Sequence, residues 1–477
     1  MLERGTYESL DAIGIAELVR SGAVTADEVL DTALGIIDER NPSINAVVSR
    51  IDDLARQAIR AGLPSGPFTG VPFAIKDLGL ACAGSVTTNG SRFFRDHLDD
   101  HDSEIVARYR AAGLVIVGRT NAPEFGLNPS TEPLIHGPTR NPWDVSRIAG
   151  GSSGGAAAAV AARMMPAAHA SDGGGSIRSP AACCGVVGLK PTRARLSLAP
   201  DEGEGWCGFH TDHVVSRTVR DSAAMLDVAA GPAPGDPYFA GPPSRPFGAE
   251  VGADPGRLRI ALMLSAPGGT TVDPECRSAA EGAARLCESL GHEVEPAEPS
   301  YDHPRLMSAS TAIVGACTAD IVDRRAEELG RAPGEDDLES ATHLLVGRGR
   351  QISGAQLVDA VRTAHVISRR IATFFERYDV LITPALGQLP PALGVFDANR
   401  QDFETYVEAV VGFTPFTMTW NATGQPAISL PLSETPSGFP IGVQFVGRFG
   451  DEATLIRLSS QLESARPWVD RRPAGAT

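Results

Sequence analysis

The sequence contains no run of about 18 consecutive apolar residues, so no membrane span is expected. The richest stretch, residues 154–169, is mostly alanine and is interrupted by Arg163. Glu3 and Arg4 open the chain on polar residues, and no apolar signal-peptide core follows. Paired cysteine spacings are missing too. The seven cysteines, Cys82, Cys183, Cys184, Cys207, Cys276, Cys287 and Cys317, form no C-x-x-C. That argues against a secreted disulfide framework and against a zinc site. Reduced thiols and a cytoplasmic location are the expectation. Positive charge is in deficit: 42 Lys and Arg against 58 Asp and Glu give a net charge of −16. Nucleic acid and anionic membrane are therefore not expected as partners. No internal repeat and no block of like charge occurs.

What remains is an ordinary globular composition, with 42 % apolar and 21 % charged residues in 477. Length alone would suggest two or three domains. Residues 7–40 predict helix, turn, helix, with Thr25 as N-cap before Asp27 and Glu28. Apolar runs at 71–75, 114–118, 186–189, 257–264 and 292–295 predict strands. Helical patterns at 103–112, 156–164, 215–231 and 273–290 alternate with them, which predicts an α/β class. The Pro/Gly-rich stretch 231–256 reads as a linker, 301–400 as helical with a loop at 384–395, and 424–431 and 440–447 as two strands joined by a turn. Strand signals at both ends of the chain favour one large sheet.

The chemistry concentrates in residues 149–191, where two glycine–serine clusters flank an alanine-rich helix. The first is Gly150 to Gly155, with Ser152 and Ser153. The second is Gly173-Gly174-Gly175-Ser176. Glycine turns let several backbone N–H groups converge on one point, which suits an oxyanion. A serine hydroxyl needs a base to become a nucleophile. Lys76 ends the apolar segment 71–75, and a lysine buried there can lose its proton near neutral pH. Asp172 and Arg178 flank Ser176 and could pair to hold the turn.

Other readings of these residues compete. Gly150 to Gly154 fits G-x-S-x-G, the elbow of a Ser-His-Asp esterase, with His303, His343 or His365 as the later histidine. No buried strand is expected ahead of it. A phosphate loop is excluded by the lack of G-x-x-x-x-G-K-[ST] and of a strand before either cluster. His97 and His101 have metal-pair spacing but sit in a solvated acidic segment, and His210 and His213 read as rim or surface residues. Phe209, Trp206 and Trp420 are candidate linings of an apolar pocket.

The segments GVPFAIKD (70–77), GRTNAPEFG (118–126), GGSSGG (150–155), SDGGGSIRSPAACCGVVGLKPT (171–192), TGQPAISLP (423–431) and PIGVQFVG (440–447) together resemble the amidase signature family. The resemblance spans most of the chain in the family's order. It implies an α/β amidase signature fold, a large mixed twisted sheet covered on both faces by helices. It implies one amidase domain over 1–477, with N-terminal helices at about 7–65 packed outside, a signature core at about 66–230 and a variable substrate-loop region at about 231–420. It implies amide hydrolysis through an acyl-enzyme, with no metal or organic cofactor. On the matching positions, Lys76 is the base, Ser152 the bridging serine ahead of a cis peptide, and Ser176 the nucleophile. The amides of Gly173, Gly174, Gly175 and Ser176 are the oxyanion hole. Within the family, residues 131–155, 169–178, 273–276 and 467–473 resemble 6-aminohexanoate cyclic-dimer hydrolases, the nylon-oligomer type. That likeness implies Cys317 and Asn128 as substrate contacts beside Trp206, although Leu127-Asn128-Pro129 departs from the pattern. A small-molecule amide (linear, aryl or cyclic) is the implied substrate and a homodimer the implied assembly. The family also includes the amidase subunit of glutamyl-tRNA amidotransferases, an alternative that works only in a complex.

Overall fold

The computed structural model describes residues 2–397, 399 and 403–473. The two ends of the expected domain, and residues 398 and 400–402 of its variable region, lie outside them. The strands, in chain order, are β1 Val47–Arg50, β2 Pro72–Lys76, β3 Val115–Thr120, β4 Arg140–Asn141, β5 Asp144–Ile148, β6 Ala167–Asp172, β7 Val187–Lys190, β8 Thr211–Ser216, β9 Arg259–Leu262, β10 Glu293–Pro296, β11 Val380–Pro384, β12 Ala427–Glu434 and β13 Pro440–Gly447. Eight of them form one sheet in the order β10-β9-β11-β13-β12-β7-β8-β6. Its β10, β9 and β11 run parallel, and the pairs from β11 through to β6 are antiparallel, so the sheet is mixed.

Side-chain alternation along the strands shows how both faces are covered. On β9, β11 and β13, Ile260, Val380, Ile382, Val443 and Phe445 join the large apolar core that includes the helix Pro274–Ser289. Their neighbours Ala261, Leu381 and Val446 point the other way. They join a second core with Leu306 and Ile313 of the helix His303–Leu329 and Ile367 and Ile371 of the helix Gly354–Arg377. Among the described residues, His303–Leu329 is the one helix long and apolar enough, by length and composition alone, to cross a membrane. Here it packs on its neighbours and forms a wall of a cavity.

The expected capping box is present: Thr25 accepts from the Glu28 N–H and the Glu28 carboxylate accepts from the Thr25 N–H. Three strands of the large sheet, β6, β8 and β11, were not among the sequence expectations. Alanine favours helix, and β6 reads Ala-Ala-His-Ala-Ser-Asp. It is a strand because all six residues are buried against β8 and the adjoining layer. Strand β6 leads directly into Gly173, which corrects the expectation that no strand precedes the second glycine cluster. Strand β8 likewise corrects the rim reading of His213, which is buried and bonded to Ser222 Oγ at 3.1 Å.

Strand β2 belongs to a separate three-stranded sheet, β1-β3-β2, and lies beside the edge strand β6. The two sheets meet where Lys76 ends β2. Its backbone N–H donates to His169 Nδ1 on β6 at 3.2 Å.

Candidate active site

Lys76 is fully buried, and its Nζ lies 2.7 Å from Ser152 Oγ and 3.0 Å from Ser171 Oγ. Burial pushes its pKa down to about 7, against the pull of the Asp212 and Asp172 carboxylates. The chain holds only two lysines, Lys76 and Lys190, and both are buried with the pKa lowered to about 7. Lys190 donates to the Pro191 carbonyl and faces no hydroxyl. Such scarcity is a signal for a functional lysine that composition could have given.

Strand β6 supplies one side of the lysine's pocket by simple alternation. His169 and Ser171, two residues apart, both reach Lys76. Because His169 Nδ1 accepts from the Lys76 N–H, its proton sits on Nε2 and is donated to Asp212 Oδ1 at 3.1 Å. Burial lowers the His169 pKa despite Asp212. Asp212 also pairs with His210 at 3.0 Å and stays ionised. Neither Ser171 nor the His169–Asp212 pair stood out in the sequence.

The two glycine–serine clusters are held together from within. Ser153 Oγ donates to the Ser171 carbonyl at 3.1 Å, and the Ser153 N–H donates to the Ser176 carbonyl at 3.2 Å. Ser153 therefore ties the loops together, while Ser152 faces the lysine. The peptide Gly151–Ser152 is cis. The cis bond thus precedes Ser152, whereas the resemblance had put the serine ahead of it.

Asp172 organises the turn that carries Ser176. It accepts from the N–H of Gly175 at 2.7 Å and of Ile177 at 3.1 Å, and from Arg178 through Nε and NH2, both at 2.9 Å. Arg178 also reaches Gln444 Oε1 at 2.8 Å and Asn421 Oδ1 at 2.6 Å. Both members of the pair are fully buried and their polar atoms bonded, so the expected pairing is present. Burial alone would raise the Asp172 pKa, but the Arg178 guanidinium holds it far below the usual range. Gly175 sits at φ +136°, and a Cβ there would stand 2.5 Å from Thr417 Oγ1. Its N–H is spent on Asp172, so it is not free for an oxyanion, a correction to the four-amide expectation. The N–H groups of Gly173, Gly174 and Ser176 bond to no described residue.

Ser176 is half-buried and lines a cavity of about 310 Å³ together with Gly174, Gly175 and Gly151. The far wall is apolar: Met307, Val314, Leu345, Val410 and Met418. Trp206 lines the cavity and packs so closely on the loop that a Cβ on Gly173 would meet its ring at 2.7 Å. Asn128 lines it as well, but its Nδ2 donates to the Phe396 carbonyl and its Oδ1 accepts from the Ser130 N–H. Its side chain braces a loop. Cys317 is not part of the lining. It packs in the second core and contacts Cys207. Phe209 and Trp420 are core residues of the same cluster. Among the described residues no histidine bonds to Ser152 or Ser176, and His303 reaches only the cavity wall. The Ser-His-Asp alternative lacks its base. His97 and His101 lie on a second, polar cavity with Asp100 and Asp201.

Comparison with known proteins places this geometry in a wider set. A family model described as Amidase matches residues 28–456. The chain is 40 % identical over 478 residues to a 6-aminohexanoate-cyclic-dimer hydrolase of Paenarthrobacter ureafaciens, covering 97 % of this chain and 96 % of that one. A solved structure of 6-aminohexanoate cyclic dimer hydrolase complexed with substrate superposes with a TM-score of 0.93 at 38 % identity, over 98 % of this chain and all of that one (100 %). A bacterial aryl acylamidase of the amidase signature family superposes at 0.88 with 27 % identity, over 98 % of both chains.

Proposed function

This chain belongs to the amidase family and is an amide-hydrolysing enzyme, and we propose that it acts through Ser176, Ser152 and Lys76 by way of an acyl-enzyme. One observation carries the assignment: a fully buried lysine with its pKa near 7 stands 2.7 Å from Ser152, next in the chain to Gly151, which lines the same cavity as Ser176. Neutral Lys76 takes the Ser152 proton as Ser152 takes that of Ser176. Ser176 then attacks the amide carbon, and the N–H groups of Gly173, Gly174 and Ser176 hold the oxyanion. The proton returns through Ser152 to the nitrogen, which leaves as a neutral amine. Water hydrolyses the acyl-enzyme by the same relay.

The substrate is a small carboxylic amide with an apolar acyl or aryl part, in keeping with the walls of the cavity. Linear, aryl and cyclic amides, 6-aminohexanoate cyclic dimer among them, are the class to test. Residues 1–477 act as one domain, since the main core runs from Leu2 to Trp468. A cytoplasmic homodimer working without nucleic acid or membrane fits the acidic chain.

The test is amine release from a panel of linear, aryl and cyclic amides by the native chain and by Ser176→Ala. Loss of about a thousandfold or more in a folded variant is expected. Hydrolysis that survives the substitution would remove Ser176 from the mechanism. Activity that needs an added partner subunit would favour the amidotransferase alternative.

A further inference from the structure

Two carboxyl side chains, Glu124 and Glu339, stand in the wall of the largely apolar Ser176 cavity. Neither Lys nor Arg is among the described lining residues. The two are held together by the backbone, because the Glu339 N–H donates to Glu124 Oε2 at 2.8 Å. Glu124 is otherwise satisfied by Ser91 Oγ at 2.6 Å and by the Thr342 hydroxyl. Glu339 is only 8 % exposed and accepts one bond, from the Leu134 N–H to Oε1 at 2.9 Å. Its Oε2 has no donor among the described residues.

The neighbouring charges do not neutralise this pair. Arg92 and His343 act on it only through space; Arg92 donates to the Leu134 carbonyl and His343 to the Glu335 carbonyl. Asp397 adds a further negative charge. Burial, and then the Glu124 carboxylate, push the Glu339 pKa up to about 7. A buried carboxylate with no cation beside it is costly, and an incoming ammonium relieves that cost while supplying donors for the open oxygen.

We propose that Glu339 reads charge in the substrate cavity, and that the preferred amides carry an alkylammonium group remote from the scissile bond. The apolar residues Val314, Leu345 and Val410 that line the same cavity then hold the alkyl chain. This rests on the reading of Ser176 as the nucleophile. It also sets the chain apart from a preference for cyclic amides, which carry no free ammonium.

The experiment compares kcat/KM for ω-aminoacyl p-nitroanilides, from aminobutanoyl to aminooctanoyl, with alkanoyl p-nitroanilides of matched length. The native enzyme is expected to favour the cationic member of its best pair by about tenfold or more. In Glu339→Gln the ratio should fall to within about twofold of unity. A native enzyme that hydrolyses both series and favours the neutral member at every length overturns the proposal and leaves Ser176 standing. Binding supplies a readout that needs no turnover: calorimetric titration of Ser176→Ala with hexylammonium and with hexanol. Hexylammonium should bind, and the added Glu339→Gln should abolish that binding. Ammonium binding without hydrolysis of either series supports the charge site and overturns the serine reading. Absence of ammonium binding overturns the charge site.

Discussion

Beneath the glycine loops and Ser176 that line the cavity lies a floor that is polar, buried and cross-bonded, from Lys76 through Ser152 and Ser171 to Asp172 and Arg178. The wall, from Met307 on one helix to Met418 on another, meets the cavity through apolar side chains. The floor sits where two sheets adjoin, so each side chain has a defined partner and little room to move. The wall sits on helices whose cavity-facing side chains pack mainly by apolar contact. Chemistry therefore belongs to the part that cannot shift, and substrate choice to the part that can be repacked at modest cost. Glu124 and Glu339 set a pair of carboxyl groups into that largely apolar side.

Removing the base is the sharpest way to break this division. Lys76→Ala should lower kcat/KM by roughly 10²–10⁴-fold, the usual weight of a general base. The variant should still fold, because burial costs the amine more than the pull of Asp212 and Asp172 returns. Thermal melting alongside amine release checks both. A variant that keeps native activity would show that Ser152 needs no lysine.

The floor was legible because its residues are unusual in kind. Glycine runs, a serine pair and a lysine ending an apolar strand each point to a chemical role before any fold is known. Their partners were not legible. Ser171 and His169 matter because β6 turns them toward Lys76, and an alanine-rich segment hides that strand. Asp212 comes from β8, which reads as an acidic loop in the sequence. Of the two expected contacts, Asn128 lines the cavity while its side chain also braces a loop, and Cys317 packs in the second core beside Cys207. Residue type says little about which face of a long helix meets a cavity. Glu339 went unread too, since it follows Glu335, Asp336 and Asp337 ahead of a helix and reads as part of a solvated acidic stretch.

Asp212 tests whether the floor works as one electrostatic unit. In the proposed relay Lys76 must be neutral to accept the Ser152 proton, so kcat/KM should rise with pH through about 7 and level off above it. Asp212 and Asp172 favour the ammonium and so raise the Lys76 pKa against burial. Asp212→Asn removes one of those charges while an amide oxygen can still accept from His169 Nε2. The acidic limb should then move to lower pH, with the plateau less affected than the limb. Loss of the plateau with an unmoved limb would mean that Asp212 only props up His169 and His210.

The smallest effect should come from trimming the wall. Val314 is half-buried and touches the cavity from the helix His303–Leu329. Val314→Ala removes methyl groups that gain only part of their contact from a bound chain. At about 0.8 kcal/mol for each fully buried methylene-sized group, a partial contact changes affinity by roughly threefold. That change should appear in KM for an alkanoyl anilide and leave kcat near its native value, since the wall touches no reacting atom. The direction should depend on the substrate: a short acyl chain loses contact, whereas a bulkier one gains room. A fall in kcat of the size expected for Lys76→Ala would erase the line between floor and wall, because the helix would then be setting the position of the nucleophile.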